Sequence, residues 1–320
     1  MIFSDFVTMY ERDMQPRLKE STWETKSDII RTKLLPYFQE KKVNEIKSSD
    51  IIQWQNTLLK HRNGGGKPYS SSYMKTVHNQ LSAVLNYAVR HYDLQKNPAS
   101  VAGNMGSEKG IVMQFWTQEE YQRFAEEMMS VPLAFYCFEL LYWCGIREGE
   151  LLALTPADFD FQAKTVSISK TYHRIKKADI ITEPKTPKSK RKVSMPDFLC
   201  KEIQEYFQSC SQLGTTDRAF PVTKNFLNYH LKLGAQRVGN KPIRVHDLRH
   251  SHVSLLIDMG FSAVAVADRM GHESIDITYR YAHLFPSVQP QMANQLNQVR
   301  MDSGYAGRTA KQQTGGVIND

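Results

Sequence analysis

Through residues 1–98 the apolar positions recur three and four apart, the period of helices that bury one face. Ser21 followed by Glu24 reads as a capping box ahead of Ile29, Ile30 and Leu34, and Ser70 to Ser72 precede Met74, Val77, Leu81, Leu85 and Ala88. Two amphipathic helices follow from these patterns. Ser48 to Leu59 reads as a third and Phe3 to Met14 as a fourth, with Gly64-Gly65-Gly66-Lys67-Pro68 a loop between helices. Asn97-Pro98 is expected to stop the last helix of this bundle, because proline biases the residue before it away from the helical region. Ala99 to Gly110 holds three glycines and few large apolar side chains, the composition of a linker.

A second domain is expected from Phe115. Thr117-Gln118-Glu119-Glu120 is a helix-start signal, and an apolar helix follows from Pro132 to Cys144. Between residues 164 and 195 the period changes: Val166, Ile168, Ile180, Ile181 and Val193 alternate or cluster with β-branched neighbours, which predicts short strands and hairpins. Helical spacing resumes over Phe198–Phe207, Lys224–Val238, His246–Met259, Ser262–Met270 and Ser274–Phe285, with Gly260 and Gly271 placed as C-terminal caps. From Pro286 the signal fades, and Gly304 to Asp320 has the look of a disordered tail. The expected class is mostly α with a small β-sheet or hairpin, an N-terminal helical bundle followed by a mixed α/β domain.

Composition narrows the function classes. At 320 residues and 41% apolar content the chain is long enough for two cores. No window approaches the roughly 20 unbroken apolar residues of a membrane span, and no basic segment leads into an apolar one at the N-terminus, so a cytoplasmic protein is expected. Cys137, Cys144, Cys200 and Cys210 form no CxxC pair, which argues against a disulfide framework or a zinc knuckle. A net charge of +8 suits a polyanionic partner without requiring one.

Four stretches hold candidate chemistry. In Gly145-Ile146-Arg147-Glu148-Gly149-Glu150 an arginine follows an apolar helix at a turn; a pairing of Arg147 with a nearby glutamate is the plain alternative. Arg174 to Lys192 carries eight basic and two acidic residues, a projecting finger suited to gripping phosphates or simply a solvated one. His246-Asp247-Leu248-Arg249-His250-Ser251-His252 opens a helix whose expected inward side is Leu248, Leu255, Leu256 and Met259; His246 and Arg249 point the same way from a helix start that already favours an anion. Zinc ligation by His246 and His250 is disfavoured, since Asp247 stands where a zincin needs glutamate. Last come Gly271-His272 and Thr278-Tyr279-Arg280-Tyr281-Ala282-His283, where Ile277, Tyr281 and Leu284 could equally be core positions.

In the order Arg, Lys, His-x-x-Arg, His, Tyr, these stretches resemble the tyrosine recombinases, specifically integrases of phages and conjugative elements from Gram-positive bacteria. The resemblance spans residues 1–290. It implies a core-site DNA-binding bundle over 1–98, a linker over 99–114, a catalytic domain over 115–290, and a partly disordered tail over 291–320 that docks on a neighbouring protomer. By position it implies that Arg147 and Arg249 clasp the scissile phosphate, that Lys185 is the hairpin lysine, that His246 and His272 support them, and that Tyr281 is the nucleophile. Tyr279 is the rival. His250 and His252 are read as structural. Lys176, Lys177, Lys188, Lys190, Arg191 and Lys192, with Lys67 and Lys75 of the bundle, are the expected DNA contacts. Integrases of this kind often carry an arm-binding domain ahead of the core; here the sequence starts at the core-binding helices, as either a simple enzyme or a shortened chain would.

The implied chemistry is consistent. Two guanidinium groups can fork onto non-bridging phosphate oxygens without titrating, so no metal or other cofactor is expected. A tyrosine hydroxyl, with a free pKa of about 10, needs help losing its proton, and His246 is the expected helper. The implied partners are double-stranded core sites, three further copies in a homotetramer, and accessory DNA-bending or directionality proteins, with strand exchange through a Holliday junction. The alternatives are a non-catalytic DNA-binding regulator on the same fold and a metal-dependent nuclease; the second lacks clustered acidic ligands.

Overall fold

The computed structural model describes residues 1–62, 64–106, 113–175, 178–184, 186–210, 212–279, 281 and 289–302. Lys176, Lys177 and Lys185 lie outside the described residues, as do residues 282–285 of the expected last helix and the tail from residue 303. The chain divides into two compact units, Met1–Met113 with His173–Ile180, and Gln114–Tyr172 with the residues from Ile181 onward.

The first unit is built from α1 (Phe3–Met14), α2 (Glu20–Ile29), α3 (Leu35–Phe38), α4 (Ser48–Lys60), α5 (Ser71–His91) and α6 (Pro98–Ala102). Ser70 caps α5 by accepting from the Tyr73 amide at 3.2 Å. Val77, Leu81, Val84, Leu85 and Ala88 on α5 are fully buried against Phe3, Phe6, Ile30, Leu34 and Ile51. Two expectations fail here. Ser21 and Glu24 do not form a cap, because α2 starts at Glu20 with Lys19 in the cap position and no side-chain cap bond. Asn97-Pro98 opens a helix rather than closing one: α5 has already ended at His91, and Asn97 Oδ1 accepts from the Ala99 amide at 2.8 Å. Proline suits the first turn, where its missing N–H would have had no helical partner. The first residues expected in the linker are thus the helix α6.

The second unit contains α7 (Gln118–Met128), α8 (Pro132–Trp143), α9 (Glu148–Leu151), α10 (Asp197–Ser209), α11 (Lys224–Arg237), α12 (Asp247–Asp258), α13 (Ala263–Met270), α14 (Asp276–Tyr279) and α15 (Gln289–Asp302). Strands β1 (Phe159–Asp160), β2 (Thr165–Ile168) and β5 (Arg191–Ser194) form an antiparallel sheet in the order β1-β2-β5, with Val166 opposite Val193 and Ile168 opposite Arg191. Strands β3 (Thr171–Ile175) and β4 (Ala178–Thr182) pair separately, and the greater part of this pair, His173–Ile180, is grouped with the first unit. The Thr117–Glu120 capping box forms as the spacing predicts. Helix α8 is apolar nearly all round and buries Ala134, Cys137, Phe138, Leu140 and Leu141, as a helix at the centre of a core does. Cys137, Cys144 and Cys200 are buried and free, and Cys210 is free and half-buried.

Helix α12 differs from its expected orientation. Leu248, Val253 and Ile257 form the buried stripe; Leu255 and Leu256 are half-buried, and Met259 is 63% exposed. The inward face also takes Asp247, Arg249, Ser251 and His252, so polar residues occupy positions that a periodicity argument gives to leucine. Helix α15 forms where the apolar signal fades, with Met292, Leu296 and Val299 exposed.

Candidate active site

Three chain turns bring the candidate residues of the second unit together. The first follows α8, where Gly145 sits at a φ of 62°. A Cβ there would stand 2.5 Å from the His252 ring, so the position suits glycine twice over, for its left-handed backbone and for the close approach. Arg147 follows as the residue before α9. Its amide donates to Glu150 Oε2 at 2.9 Å and its Nη1 to Glu150 Oε1 at 2.7 Å. The alternative reading of Arg147 as an ion-pair partner is therefore realised, but Glu150 is buried and the side chain of Arg147 keeps 36% exposure.

Glu150 is shared with a second arginine. Arg191 on β5 reaches it through Nη1 at 3.2 Å and Nη2 at 3.0 Å, and also donates to Ser189 O and Arg269 O. Burial pushes the Glu150 pKa up, yet Arg191 and then Arg147 outweigh it, and the net shift is downward. Arg191 was expected among the outward phosphate contacts. Its side chain is instead 8% exposed and committed to interior acceptors. Its neighbours on the finger behave differently: Lys192 is exposed, Lys190 pairs with Glu183 at 2.8 Å, and Lys188 donates to Glu273 O at 3.2 Å. In the first unit Lys67 is exposed and Lys75 half-buried on α5.

The second turn opens α12. Arg249 is 4% exposed and is aimed by two short bonds, Nη1 to Gly145 O and Nη2 to Met270 O, both at 2.6 Å. Burial, and then the Arg147 charge, draw its pKa down to about 9, which leaves it cationic at neutral pH. A buried guanidinium held by two carbonyls, with Arg147 and Arg191 near enough to repel it, has charge to share with an incoming anion. His246 precedes the helix at the surface. Its pKa is lowered by packing around the ring, then by His250 and Arg249, so it is neutral near pH 7.

The third turn follows α13, which Gly271 ends in the left-handed conformation. His272 is buried and bonded through Nδ1 to Thr278 Oγ1 at 2.8 Å. Burial, then Arg249, Arg147 and Arg191, lower its pKa to about 3. All three arginines thus lie near enough to act on its charge. Tyr281 is 3% exposed, its amide donating to Thr278 O, whereas the rival Tyr279 is 53% exposed.

The Tyr281 hydroxyl is in hydrogen-bond contact with His250 Nδ1. That contact departs from the structural reading of His250. Its sequence signal was present but went to another use: His250 lies four residues after His246 and directly after Arg249, on the face considered for metal ligation. His252 keeps the structural reading in its geometry, buried and accepting from Arg269 Nε at 3.0 Å.

A buried phenol beside cations that do not titrate near pH 7 is suited to transferring an oxyanion such as a phosphoryl group. Comparison with known proteins gives the class. Residues 2–59 match the phage integrase N-terminal SAM-like domain, and residues 114–287 match the phage integrase family. The chain belongs to the phage integrase family, the tyrosine recombinases. It is 26% identical over 310 residues to the ICEBs1 integrase of Bacillus subtilis (strain 168), covering 92% of this chain and 82% of that one. It is 25% identical over 271 residues to the integrase of Staphylococcus phage L54a, covering 72% and 75%. Among solved structures, the Tn1549 transposon integrase in complex with transposon right end DNA has a TM-score of 0.74 at 18% identity, covering 93% of this chain and 99% of that one. A lambda integrase tetramer bound to a Holliday junction has a TM-score of 0.63 at 15% identity, covering 90% and 78%. At these identities the two structures establish the fold.

Proposed function

We propose that this recombinase cuts and rejoins duplex DNA at core sites through a 3′-phosphotyrosine on Tyr281. The observation that supports this most is the placement of Tyr281, buried beside Arg249 with His250 on its hydroxyl. In this reading Arg147 and Arg249 hold the two non-bridging oxygens, where charge grows as the phosphorus is attacked. His272 and His246, neutral near pH 7, supply hydrogen bonds rather than charge. The tyrosine oxygen bonds to phosphorus, the bond to the 5′-oxygen breaks, and Lys185 gives that oxygen its proton. The partner strand's 5′-hydroxyl then reverses the step. The ester link conserves the bond, so neither ATP nor water is consumed, and the arginines supply the charge that a metal supplies elsewhere.

The bundle over 1–98 and the catalytic domain over 115–290 each contribute DNA contacts, with Lys67, Lys75, Lys176, Lys177, Lys188, Lys190 and Lys192 as phosphate partners. Four protomers pair two sites through a Holliday junction, and accessory DNA-bending or directionality proteins set the direction. Among the described residues no helix is long and apolar enough to cross a membrane; the proposed place of action is the cytoplasm, at the nucleoid. The test is adduct formation on a nicked duplex. Tyr281→Phe should bind DNA and form no covalent product, while Tyr279→Phe should form it. The opposite pattern would move the nucleophile to Tyr279.

A further inference from the structure

We infer that His250 is the base that takes the proton from Tyr281, and that Asp247 and His246 orient and support its ring; this rests on Tyr281 being the nucleophile. The contact is between reacting atoms: His250 Nδ1 meets the phenolic oxygen directly. The far nitrogen, Nε2, faces Asp247 Oδ1 at 3.8 Å, on the same helical face one turn earlier. Asp247 is itself 2% exposed and fixed by Arg244, whose amide donates to it at 2.8 Å and whose Nη2 donates at 2.7 Å. The ring of His246 packs edge-on against that of His250, centroids 5.1 Å apart. Carboxylate, imidazole and phenol thus form a line that ends on the nucleophile.

For His250 to accept a proton its Nδ1 must carry a lone pair when the phenol is held there. Burial lowers its pKa, Asp247 opposes that shift, and Arg244 and Arg249 reinforce it, so the ring is neutral near pH 7. The groups facing it are Asp247 and Arg249 on its own helix, Arg244 and His246 before the helix, His272 after α13, and Tyr281. Asp247, 3.8 Å from Nε2, favours a proton on that nitrogen through its charge rather than through a hydrogen bond, and in that tautomer Nδ1 is the acceptor. During attack the O–H bond of Tyr281 breaks and an N–H bond forms on Nδ1, while the phenolic oxygen bonds to phosphorus and the 5′-oxygen leaves with a proton from the general acid. The resulting imidazolium is stabilised by Asp247. On rejoining, the departing phenolate takes the same proton back. Sequence position alone favours His246 for this role; the geometry gives it to the residue one turn later.

The experiment uses the full chain and a nicked duplex that traps the covalent adduct. His250→Gln keeps a polar amide near the phenol but cannot take a proton, and adduct formation should slow about 10²-fold or more with duplex binding unchanged. A ring-fluorinated tyrosine at position 281 lowers the phenol's pKa, so His250→Gln should gain much more from it than the parent protein does. His246→Gln should gain no more than the parent. In the parent itself, the acid limb of the cleavage rate should have its midpoint below the ordinary imidazole value, and fluorination should leave that midpoint in place. A midpoint that moves down with fluorination belongs to the phenol and overturns the inference, and this arm needs no substitution at His250. Equal gains in His250→Gln and parent, or a selective gain in His246→Gln, also overturn it. Adduct persisting in Tyr281→Phe would instead remove the nucleophile assignment, so the two failures are distinguishable.

Discussion

Replacing Arg191 with methionine should weaken the catalytic unit sharply, although a basic finger residue would ordinarily be replaced at little consequence. Methionine keeps the buried stem and removes the guanidinium, leaving Glu150 with Arg147 as its one cationic partner among the described residues. Breaking a buried pair from one side costs about 3 to 5 kcal/mol, because the other charge stays in a low-dielectric site. Glu150 retains its bonds to the Arg147 amide and Nη1, which places the effect near about 3 kcal/mol by the same measure. Ser189 O and Arg269 O lose their donor as well, each worth about 1 kcal/mol. A total of about 3 to 5 kcal/mol corresponds to a fall in Tm of roughly 10 °C for a unit of this size. Thermal unfolding of the full chain, followed by calorimetry, is the assay, with exposed Lys192→Met as the control that should move Tm little. The double variant with Glu150→Gln should lose about 2 kcal/mol less than the two singles summed, the signature of a direct pair. A loss under about 1 kcal/mol for Arg191→Met, or strict additivity, would refute the buried pair.

Four further outcomes follow from the same geometry. With sulfur in place of the 5′-bridging oxygen, Lys185→Ala should cleave nearly normally while Arg249→Ala stays slow, because a thiolate departs unaided; selective rescue of the Lys188, Lys190 or Lys192 alanine variant would move the acid there. His252 and His272 are buried with pKa values of about 3, so they add stability that is complete above the ordinary imidazole value of 6.5 and is lost as pH falls below it toward 3. The urea midpoint should drop across that window, and His252→Gln should flatten the slope by about 1.4 kcal/mol per pH unit. Gly145→Ala should cost at least about 1 to 2 kcal/mol for its left-handed backbone alone and slow cleavage through Arg249, which hangs on that carbonyl; an unchanged Tm would show that the loop relaxes. Residues 1–98 and 115–290 as separate fragments should bind core DNA weakly, and the joined chain far more tightly and with steep salt dependence; a catalytic fragment equal to the whole would remove the bundle's contribution.

The sequence by itself determined those features whose cause lies within one or two helical turns. Helix α1 spans Phe3–Met14 as its spacing predicts, Ser70 and Thr117 cap their helices, and Gly271 closes α13, because a cap bond joins residues three apart and a left-handed end needs only a missing Cβ. The order of Arg, Lys, His-x-x-Arg, His and Tyr was equally legible, since it is a property of the chain and not of its folding. Tertiary structure decided what local signals leave open. The Ser21–Glu24 spacing satisfies a capping box and yields none, because the helix begins two residues earlier than that box requires. Arg191 reads like its basic neighbours until the sheet register turns it inward onto a carboxylate 41 positions away. His250 reads as structural until Tyr281, 31 positions later, brings its hydroxyl to Nδ1 of the ring. A helical residue's spacing fixes which neighbours share its face; which face meets the nucleophile depends on how separate elements exclude water together, and that balance is struck only when the whole core packs.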